Sequence, residues 1–207
     1  MTTGDDIIKE MEIWYLGRSS FRIRSQKGII VTDPDDLRGK LPKIKADIIT
    51  VSYEYPDHGR PDLIASQPFI IRAPGEYEIR GISVFGITSF HQNTIYLIET
   101  EGLKLCHLGN LDRQLEKETL NQINSPDILF IPAGNSDAIG PKEAIKIIHQ
   151  IEPKIIIPMH YQDKELKIKE FLKALDIKAT PIPKLIIKKA DLTSEGKKVV
   201  ILERRGN

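Results

Sequence analysis

The residues of this chain that could carry chemistry lie at the ends of predicted strands. Residues 52–58, 107–112 and 158–161 each place histidine, together with aspartate, asparagine or tyrosine, directly after an apolar run. Rigid scaffolds present binding and catalytic side chains at such positions, because the strand holds the backbone while its end stays accessible. We therefore expect the functional site where these three segments meet.

Other reactive residue types in the sequence have simpler explanations. Glu76 and Glu78 share one face of a predicted strand and resemble a catalytic pair of acids, but solvated or salt-bridged carboxylates are the default reading. The lone cysteine, Cys106, lies in the apolar run 103–106 and is predicted to be a buried structural thiol. The chain has neither a glycine-rich phosphate loop nor the serine motif of a nucleophile elbow.

Strands dominate the first half of the chain and must position the first two segments. Glu101 and Gly102 form an evident hairpin turn between two of them. Short apolar or alternating runs predict strands at residues 12–16, 20–24, 28–32, 47–52, 69–72, 76–79, 82–87, 93–100 and 103–107.

Helices and strands alternate in the second half. Helical spacing predicts helices at residues 115–123, 141–151 and 165–175, with Pro141 near the first turn of the second helix. The intervening strands are predicted at residues 127–131, 154–157, 184–188 and 197–202. A first half made of strands and a second half in which strands and helices alternate predict an α/β (α+β) protein, with two sheets packed face to face and helices outside. This pattern alone also fits other αβ architectures.

Size and charge limit the classes of protein to which the chain can belong. Its 207 residues suit one domain, so we expect a polar lead-in at residues 1–10 and a single domain at residues 11–207. A net charge of +1 argues against a broad nucleic-acid surface. With no evident signal peptide and no apolar stretch of roughly 20 residues, we expect a cytoplasmic protein without a membrane partner.

Seven segments, taken together and in order, resemble the metallo-β-lactamase superfamily, in particular a branch of small bacterial and archaeal proteins. No single segment is decisive, whereas the ordered set is specific. The resemblance implies an αββα four-layer sandwich that usually holds two zinc, iron or manganese ions at one edge. The segments are WYLGRSSF (14–21), VTDP (31–34), ADIITVS (46–52), APGEYE (73–78), NTIY (93–96), CHLGN (106–110) and IPMHY (157–161).

The resemblance also implies which residues would bind metal. The superfamily's signature loop is His-x-His-x-Asp-His, in which the first two histidines bind one metal and the Asp-His pair binds the other. Asp57 and His58 match that pair, and His160 matches a later ligand of the same metal. His91 matches a later ligand of the first metal, and Asp57 is also the candidate catalytic residue. Two such metals lower the pKa of a shared water and supply a nucleophile near neutral pH.

The positions expected to hold the first metal depart from this pattern. Tyr53 and Tyr55 stand at the two histidines of the loop, Asn110 stands at the bridging aspartate, and Arg113 stands where relatives often have a histidine. A tyrosine phenol has a reference pKa of about 10, so metal binding costs a deprotonation that neutral imidazole does not need. Because asparagine is neutral, it does little to offset two adjacent cations. We therefore expect the normal two-metal centre to be absent.

The second metal position keeps more of its expected residues. Asp57, His58 and His160 form a two-histidine, one-carboxylate set that can hold a single zinc or iron ion, which is the most metal we expect. The alternative is that the three residues are relics that hydrogen-bond one another and keep the loop in shape. Asp33 either orients a ligand or the metal loop, or caps a turn. His107 is expected to be structural.

Three functions are compatible with these residues. The first is a binding or structural protein that has lost normal two-metal hydrolysis. The second is a mononuclear metal-dependent hydrolase that uses Asp57, His58 and His160, with Tyr53 or Tyr55 donating a hydrogen bond to a developing oxyanion. The third is a pocket in which the two tyrosines bind a small polar or planar molecule. The sequence indicates no substrate, and a homo-oligomer is compatible with the resemblance.

Overall fold

The strands form two mixed β-sheets in the computed structural model, which describes residues 10–35, 44–53, 64–134, 138–161, 165–192 and 197–205. The first sheet has the order β12-β1-β2-β3-β4-β5. Neighbouring strands from β12 to β3 pair in antiparallel fashion, whereas β3, β4 and β5 are parallel to one another. Its strands are β1 (Met11–Gly17), β2 (Ser20–Arg24), β3 (Ile29–Thr32), β4 (Ile48–Thr50), β5 (Phe69–Ile71) and β12 (Leu185–Ile187).

The second sheet has the order β13-β11-β10-β9-β8-β7-β6. Strands β6 to β9 form an antiparallel meander, and β9, β10, β11 and β13 are parallel. Its strands are β6 (Gly75–Ile79), β7 (Ile82–Thr88), β8 (Thr94–Thr100), β9 (Leu103–His107), β10 (Ile128–Pro132), β11 (Ile155–Met159) and β13 (Lys198–Val199).

In the described part of the chain, three α-helices accompany the second sheet: α1 (Lys117–Ile123), α2 (Pro141–Ile151) and α3 (Glu165–Ala174). Helices α1 and α2 connect the parallel neighbours β9, β10 and β11, and such crossovers place helices on one face of a sheet. This explains why β10 and β11 are buried at every position and read as continuous apolar runs. None of the helices in these described segments is long and apolar enough to cross a membrane.

The main core lies between the two sheets. Alternate residues of β1 and β2, such as Ile13 and Ile23, point inward and join one buried cluster with Ile98, Leu105 and Ile157 of the second sheet. The expected two-sheet sandwich with accompanying helices is therefore confirmed. Cys106 is fully buried on the other face of the second sheet, and burial raises the pKa of its thiol, as expected of a structural cysteine.

The predicted elements are present, with differences mainly at their ends. The strand expected at residues 154–157 continues through Pro158 to Met159, although proline has no amide to donate. The carbonyl of Ile156 accepts a hydrogen bond from Val200 on the β13 side, and Pro158 has the same orientation in the strand. Because β13 itself ends at Val199, no strand partner is lost at Pro158.

Candidate functional site

The ends of parallel strands from both sheets meet at one edge of the sandwich. Asp33 follows β3 and Ser52 follows β4 in the first sheet, whereas Asn110 and His160 follow β9 and β11 in the second. The amide of Thr94 donates to the carbonyl of Ser52 over 2.7 Å and ties the two sheets together there. The three segments expected from the sequence to meet thus have their described residues at this edge.

Asp33 anchors the chain where the signature loop begins. Its carboxylate accepts the Ser52 amide at Oδ1 and the Ser52 hydroxyl at Oδ2, each over 2.6 Å. Both residues are buried, so these bonds are shielded from water. Asp33 therefore fixes the backbone one residue before Tyr53, and its expected role in orienting a ligand or the metal loop stays a prediction.

Asn93 and Gly109 complete the floor beside Ser52. The buried amide of Asn93 donates to the carbonyl of Leu108 over 3.0 Å and accepts the amide of Asn110 over 2.9 Å. Gly109 has a φ of +63°, and a Cβ atom there would lie 2.6 Å from the Cβ and the hydroxyl of Ser52. Only glycine suits this backbone position, because both its conformation and its contact with Ser52 exclude a side chain.

His107 is a structural residue beneath this edge, as expected. Its ring is 1% exposed and packs near Phe21 and Phe130, with ring centroids 6.1 and 5.8 Å away. Nε2 lies 2.8 Å from the Ser19 carbonyl, and Nδ1 accepts the Gly109 amide over 3.3 Å, an arrangement that requires the neutral tautomer with hydrogen on Nε2. Burial lowers the pKa of His107, and this outweighs the opposing influence of Asp33 and Ser19.

His160 is buried and rigidly placed after β11. It is 4% exposed, has a φ of +59°, and donates its backbone amide to the carbonyl of Arg18 over 3.0 Å. Arg18, Asp33, His91 and His160 all have left-handed backbone conformations. Such conformations cost free energy, which the surrounding structure at this edge must offset.

A polar cluster at the rim engages His91, the residue matched to the first metal. Its side chain is 62% exposed, and Nδ1 lies 2.5 Å from the Asp112 carboxylate. One guanidinium nitrogen of Arg113 lies 3.0 and 2.9 Å from the two ring nitrogens, and the guanidinium stacks 4.7 Å from the centroid of Phe90. Metal binding at His91 in this arrangement therefore requires Arg113 to move.

Asp112 is the anion of this group of His91, Asp112 and Arg113, which we call the rim cluster. It contacts His91 on one side and lies 3.2 Å from Nε of Arg113 on the other. Partial burial raises the pKa of Asp112, but hydrogen bonds from Arg113 and His91 outweigh this and hold that pKa below its ordinary value. The cluster is thus internally paired, with the carboxylate balancing the guanidinium.

The described residues include only part of the ligand set expected from the sequence. Asp57, His58 and Tyr55 lie outside them, whereas Tyr53 is half-buried at the end of the segment after β4. Among the described residues, no three histidine, cysteine, aspartate or glutamate side chains are grouped so as to hold a metal ion. Glu76 and Glu78 are exposed on β6, as expected for solvated carboxylates.

Sequence reasoning assigned no role to Ser52, Asn93 or Ser19, which organise the edge. The Ser19 carbonyl accepts the Thr32 hydroxyl over 2.9 Å and faces His107, although no side-chain type marks it in the sequence. Asn93 and Ser52 carried a signal that could have identified them. Each is a polar residue next to an apolar strand, where burial demands hydrogen-bond partners.

Comparison with known proteins settles the family. Residues 12–160, more than half of the chain, match the family described as the β-lactamase superfamily domain. The chain belongs to the metallo-β-lactamase superfamily. The superfamily's sandwich is the architecture described above.

Several relatives of this superfamily member carry hydrolase names. A UPF0173 metal-dependent hydrolase from Thermococcus onnurineus is 24% identical over 189 residues, covering 73% of this chain and 84% of its own. One from Archaeoglobus fulgidus is 23% identical over 222 residues, covering 86% and 96%. A Thermotoga maritima structure, named as a candidate zinc-dependent hydrolase of the metallo-β-lactamase superfamily, has a TM-score of 0.79 and 32% identity, covering 93% and 99%.

Proposed function

We propose that this superfamily member has lost normal two-metal hydrolysis and retains the edge of the sandwich as a binding site for a small molecule. The rim cluster carries this proposal, because the ring nitrogens of His91 contact Asp112 and Arg113. Arg113 brings a permanent positive charge to the place where the first metal would lie. A second cation beside it would be repelled unless the guanidinium moved away.

The residues at the other first-metal positions support the same proposal. Tyr53 would have to lose a proton to bind a divalent ion, and Asn110 offers a neutral oxygen where the superfamily has a bridging carboxylate. The floor of the site is nevertheless preserved, since Asp33, Ser52 and Asn93 hold its backbone through buried hydrogen bonds. A site that keeps its frame while losing metal ligands is suited to binding rather than to two-metal chemistry.

Metal content tests this proposal directly. The protein is purified without chelators, and zinc, iron and manganese are measured per chain by mass spectrometry. We expect at most one ion per chain, because the first position lacks its ligands. Two ions per chain, with one lost in His91→Ala, would contradict the proposal.

Restoration of the ligands gives a sharper test of the role of Arg113. The triple variant Tyr53→His, Tyr55→His, Asn110→Asp supplies the missing ligands but leaves the guanidinium against His91. We expect full uptake of a second ion only when Arg113→His is added to the triple variant. Arg80→His, an exposed arginine paired with Asp47, is the matched control and should not increase uptake. Equal uptake by the triple and quadruple variants would show that Arg113 does not oppose metal binding.

A mononuclear metal-dependent hydrolase is the second candidate function, and the placement of His160 favours it. The residue is buried, and its strained backbone is fixed to Arg18, as suits a ligand held ready at a strand end. Asp57, His58 and His160 would hold the ion. When bound, a zinc or iron ion lowers the pKa of water and so supplies a nucleophile near neutral pH.

His160→Ala separates the two candidate functions. Loss of a stoichiometric zinc or iron ion in this variant would support the mononuclear site. Near-zero metal in the unsubstituted protein would exclude the mononuclear site and leave the binding protein. Unfolding should be followed in parallel, because His160 is buried and its replacement also leaves a cavity.

A further inference from the structure

Four cationic side chains surround the half-buried indole of Trp14 on the outer face of the first sheet. The guanidinium carbons of Arg22, Arg205 and Arg24 lie 4.7, 5.7 and 5.9 Å from the ring centroid, and the Lys184 ammonium lies 5.3 Å from it. We call Trp14 and these four cations the basic patch. Each contact falls within the range of a cation–π interaction.

Strand pairing brings these residues together from distant parts of the sequence. Trp14 on β1 lies directly opposite Arg22 on β2, and Glu12 lies opposite Arg24. Lys184 directly precedes β12 on the other side of β1, and the Arg205 amide donates to the Tyr15 carbonyl over 2.9 Å. The neighbouring residues Ile13 and Tyr15 face the core, so the basic patch occupies the face away from it.

Carboxylates only partly balance the charge of the basic patch. Glu12 accepts a hydrogen bond from Arg24 over 2.6 Å and one from Lys184 over 2.7 Å. No carboxylate of the described residues forms an ion pair with Arg22 or Arg205. Among the described side chains in these contacts, four cations against one carboxylate leave an excess of three positive charges. The whole chain has a net charge of only +1, so the excess is local.

The cations of the basic patch also oppose one another. Partial burial lowers the pKa of Arg22, and the nearby charges of Arg205 and Arg24 lower it further. Like charges held close together destabilise a fold unless an anion lies between them. Contacts with the indole offset part of this repulsion, but they add no negative charge.

We propose that the basic patch binds the phosphate chain of a small oligophosphate compound. Arg22 and Arg205 present planar guanidinium groups, which match phosphate oxygens in a two-pronged geometry. An oligophosphate carries several negative charges close together. It therefore complements an excess of positive charge that is confined to one end of a sheet. A nucleic acid would need a longer basic track, which the near-neutral charge of the chain does not favour.

Trp14 is itself the probe for this proposal, because it is the only tryptophan in the sequence. Inorganic tripolyphosphate is titrated into the full-length protein at low ionic strength while indole emission is followed. A phosphate chain that draws Arg22 and Arg205 away from the ring should produce a saturable change in emission. Potassium chloride at matched ionic strength should not reproduce it.

Two pairs of substitutions separate the basic patch from general electrostatics. Arg22→Gln with Arg205→Gln removes two charges from it, and we expect tripolyphosphate affinity to fall by about tenfold or more, since each guanidinium contributes charge-assisted hydrogen bonds. Arg72→Gln with Arg80→Gln removes two charges from exposed residues and serves as the matched control. Arg72 directly follows β5, the opposite edge strand of the first sheet, and Arg80 lies in the turn between β6 and β7. The control should bind as the unsubstituted protein does.

Thermal unfolding distinguishes a ligand site from a purely structural cluster. A ligand site predicts that tripolyphosphate raises the Tm of the unsubstituted protein and of the control, but not of Arg22→Gln/Arg205→Gln. Without phosphate, the double variant should lose no stability, because like-charge repulsion is relieved. A lower Tm of that variant without any phosphate effect on the unsubstituted protein would overturn the proposal.

Two further results would also overturn it. One is an emission change that follows ionic strength alone, or that is equal in the two double variants. The other is binding of a single-stranded oligonucleotide that strengthens with its length while tripolyphosphate does not bind. That result would make the basic patch a nucleic-acid surface.

Discussion

At the scale of single residues, the edge of the sandwich is held by a few buried polar side chains with specific partners. Asp33 accepts two hydrogen bonds from Ser52, and His107 lies between Ser19 and Gly109. Removing one partner from a buried hydrogen bond costs more than the bond contributes, because the other group stays desolvated. These residues therefore matter for stability as well as for the position of the loop.

Asp33→Ala should destabilise the fold by about 2–4 kcal/mol, because it strands both the amide and the hydroxyl of Ser52. Ser52→Ala is the matched comparison and should cost less, about 1–2 kcal/mol, because it strands only Oδ2 of Asp33 while the Ser52 amide still donates to Oδ1. Urea unfolding gives both free energies. Equal losses in the two variants would mean that the bond from the Ser52 amide contributes little.

His107 should make stability depend on pH. Because burial lowers its pKa in the folded state, the unfolded chain binds a proton more readily as the pH falls below about 6.5. Stability should therefore be highest above that pH and fall as acid is added, by up to about 1.4 kcal/mol per pH unit for one proton. Unfolding free energies from pH 7.5 to 5 should show this loss, and His107→Gln should flatten it. An unchanged slope in the variant would assign the dependence to another group.

At the scale of elements, the strand ends carry the irregular backbone that shapes the site. Left-handed residues such as Asp33, Gly109 and His160 occur one or two residues after a strand ends. A strand fixes the residues before such a turn, so the cost of an unfavourable conformation is offset by the neighbouring sheet.

Gly109→Ala should destabilise the protein by about 2–4 kcal/mol, because the new methyl group meets Ser52 and the backbone is left-handed. Gly102→Ala is the matched control. Its φ of +72° carries the same conformational cost, but an added Cβ atom would meet only Lys189 Cγ, at 4.0 Å. We expect the control to lose only about 1 kcal/mol in thermal or urea unfolding. Equal losses of stability in the two variants would show that the contact with Ser52 is not the cause.

At the scale of the whole molecule, one buried cluster joins the two sheets and predicts a single folding unit. Trp14 reports on the first sheet, and the described helices accompany the second, so fluorescence and far-ultraviolet circular dichroism observe different layers. We expect the two signals to give the same midpoint in urea, because the shared core must be lost as a whole. Two separate midpoints would divide residues 11–207 into independent units.

Much of the fold was predictable because its pattern is local. The run of Ile13, Trp14 and Tyr15 in β1 and the continuous apolar runs in β10 and β11 identify strands without knowledge of any contact. The ends were less predictable, as at Pro158, where the position of a neighbouring strand decides whether a missing amide matters. The segment expected at residues 197–202 likewise contains the short strand β13, Lys198–Val199, because only its first part pairs with β11.

By itself, the sequence predicted the family and the succession of strands along the chain, since both follow from residue types at given positions. It also supplied the residues Tyr53, Tyr55, Asn110 and Arg113, on which the proposed loss of the first metal site rests. Only the tertiary structure decided which side chains meet. The contact of Arg113 with His91 joins residues 22 apart, and that of His107 with Ser19 joins residues 88 apart. Such contacts depend on how two sheets register and pack, which local patterns do not specify.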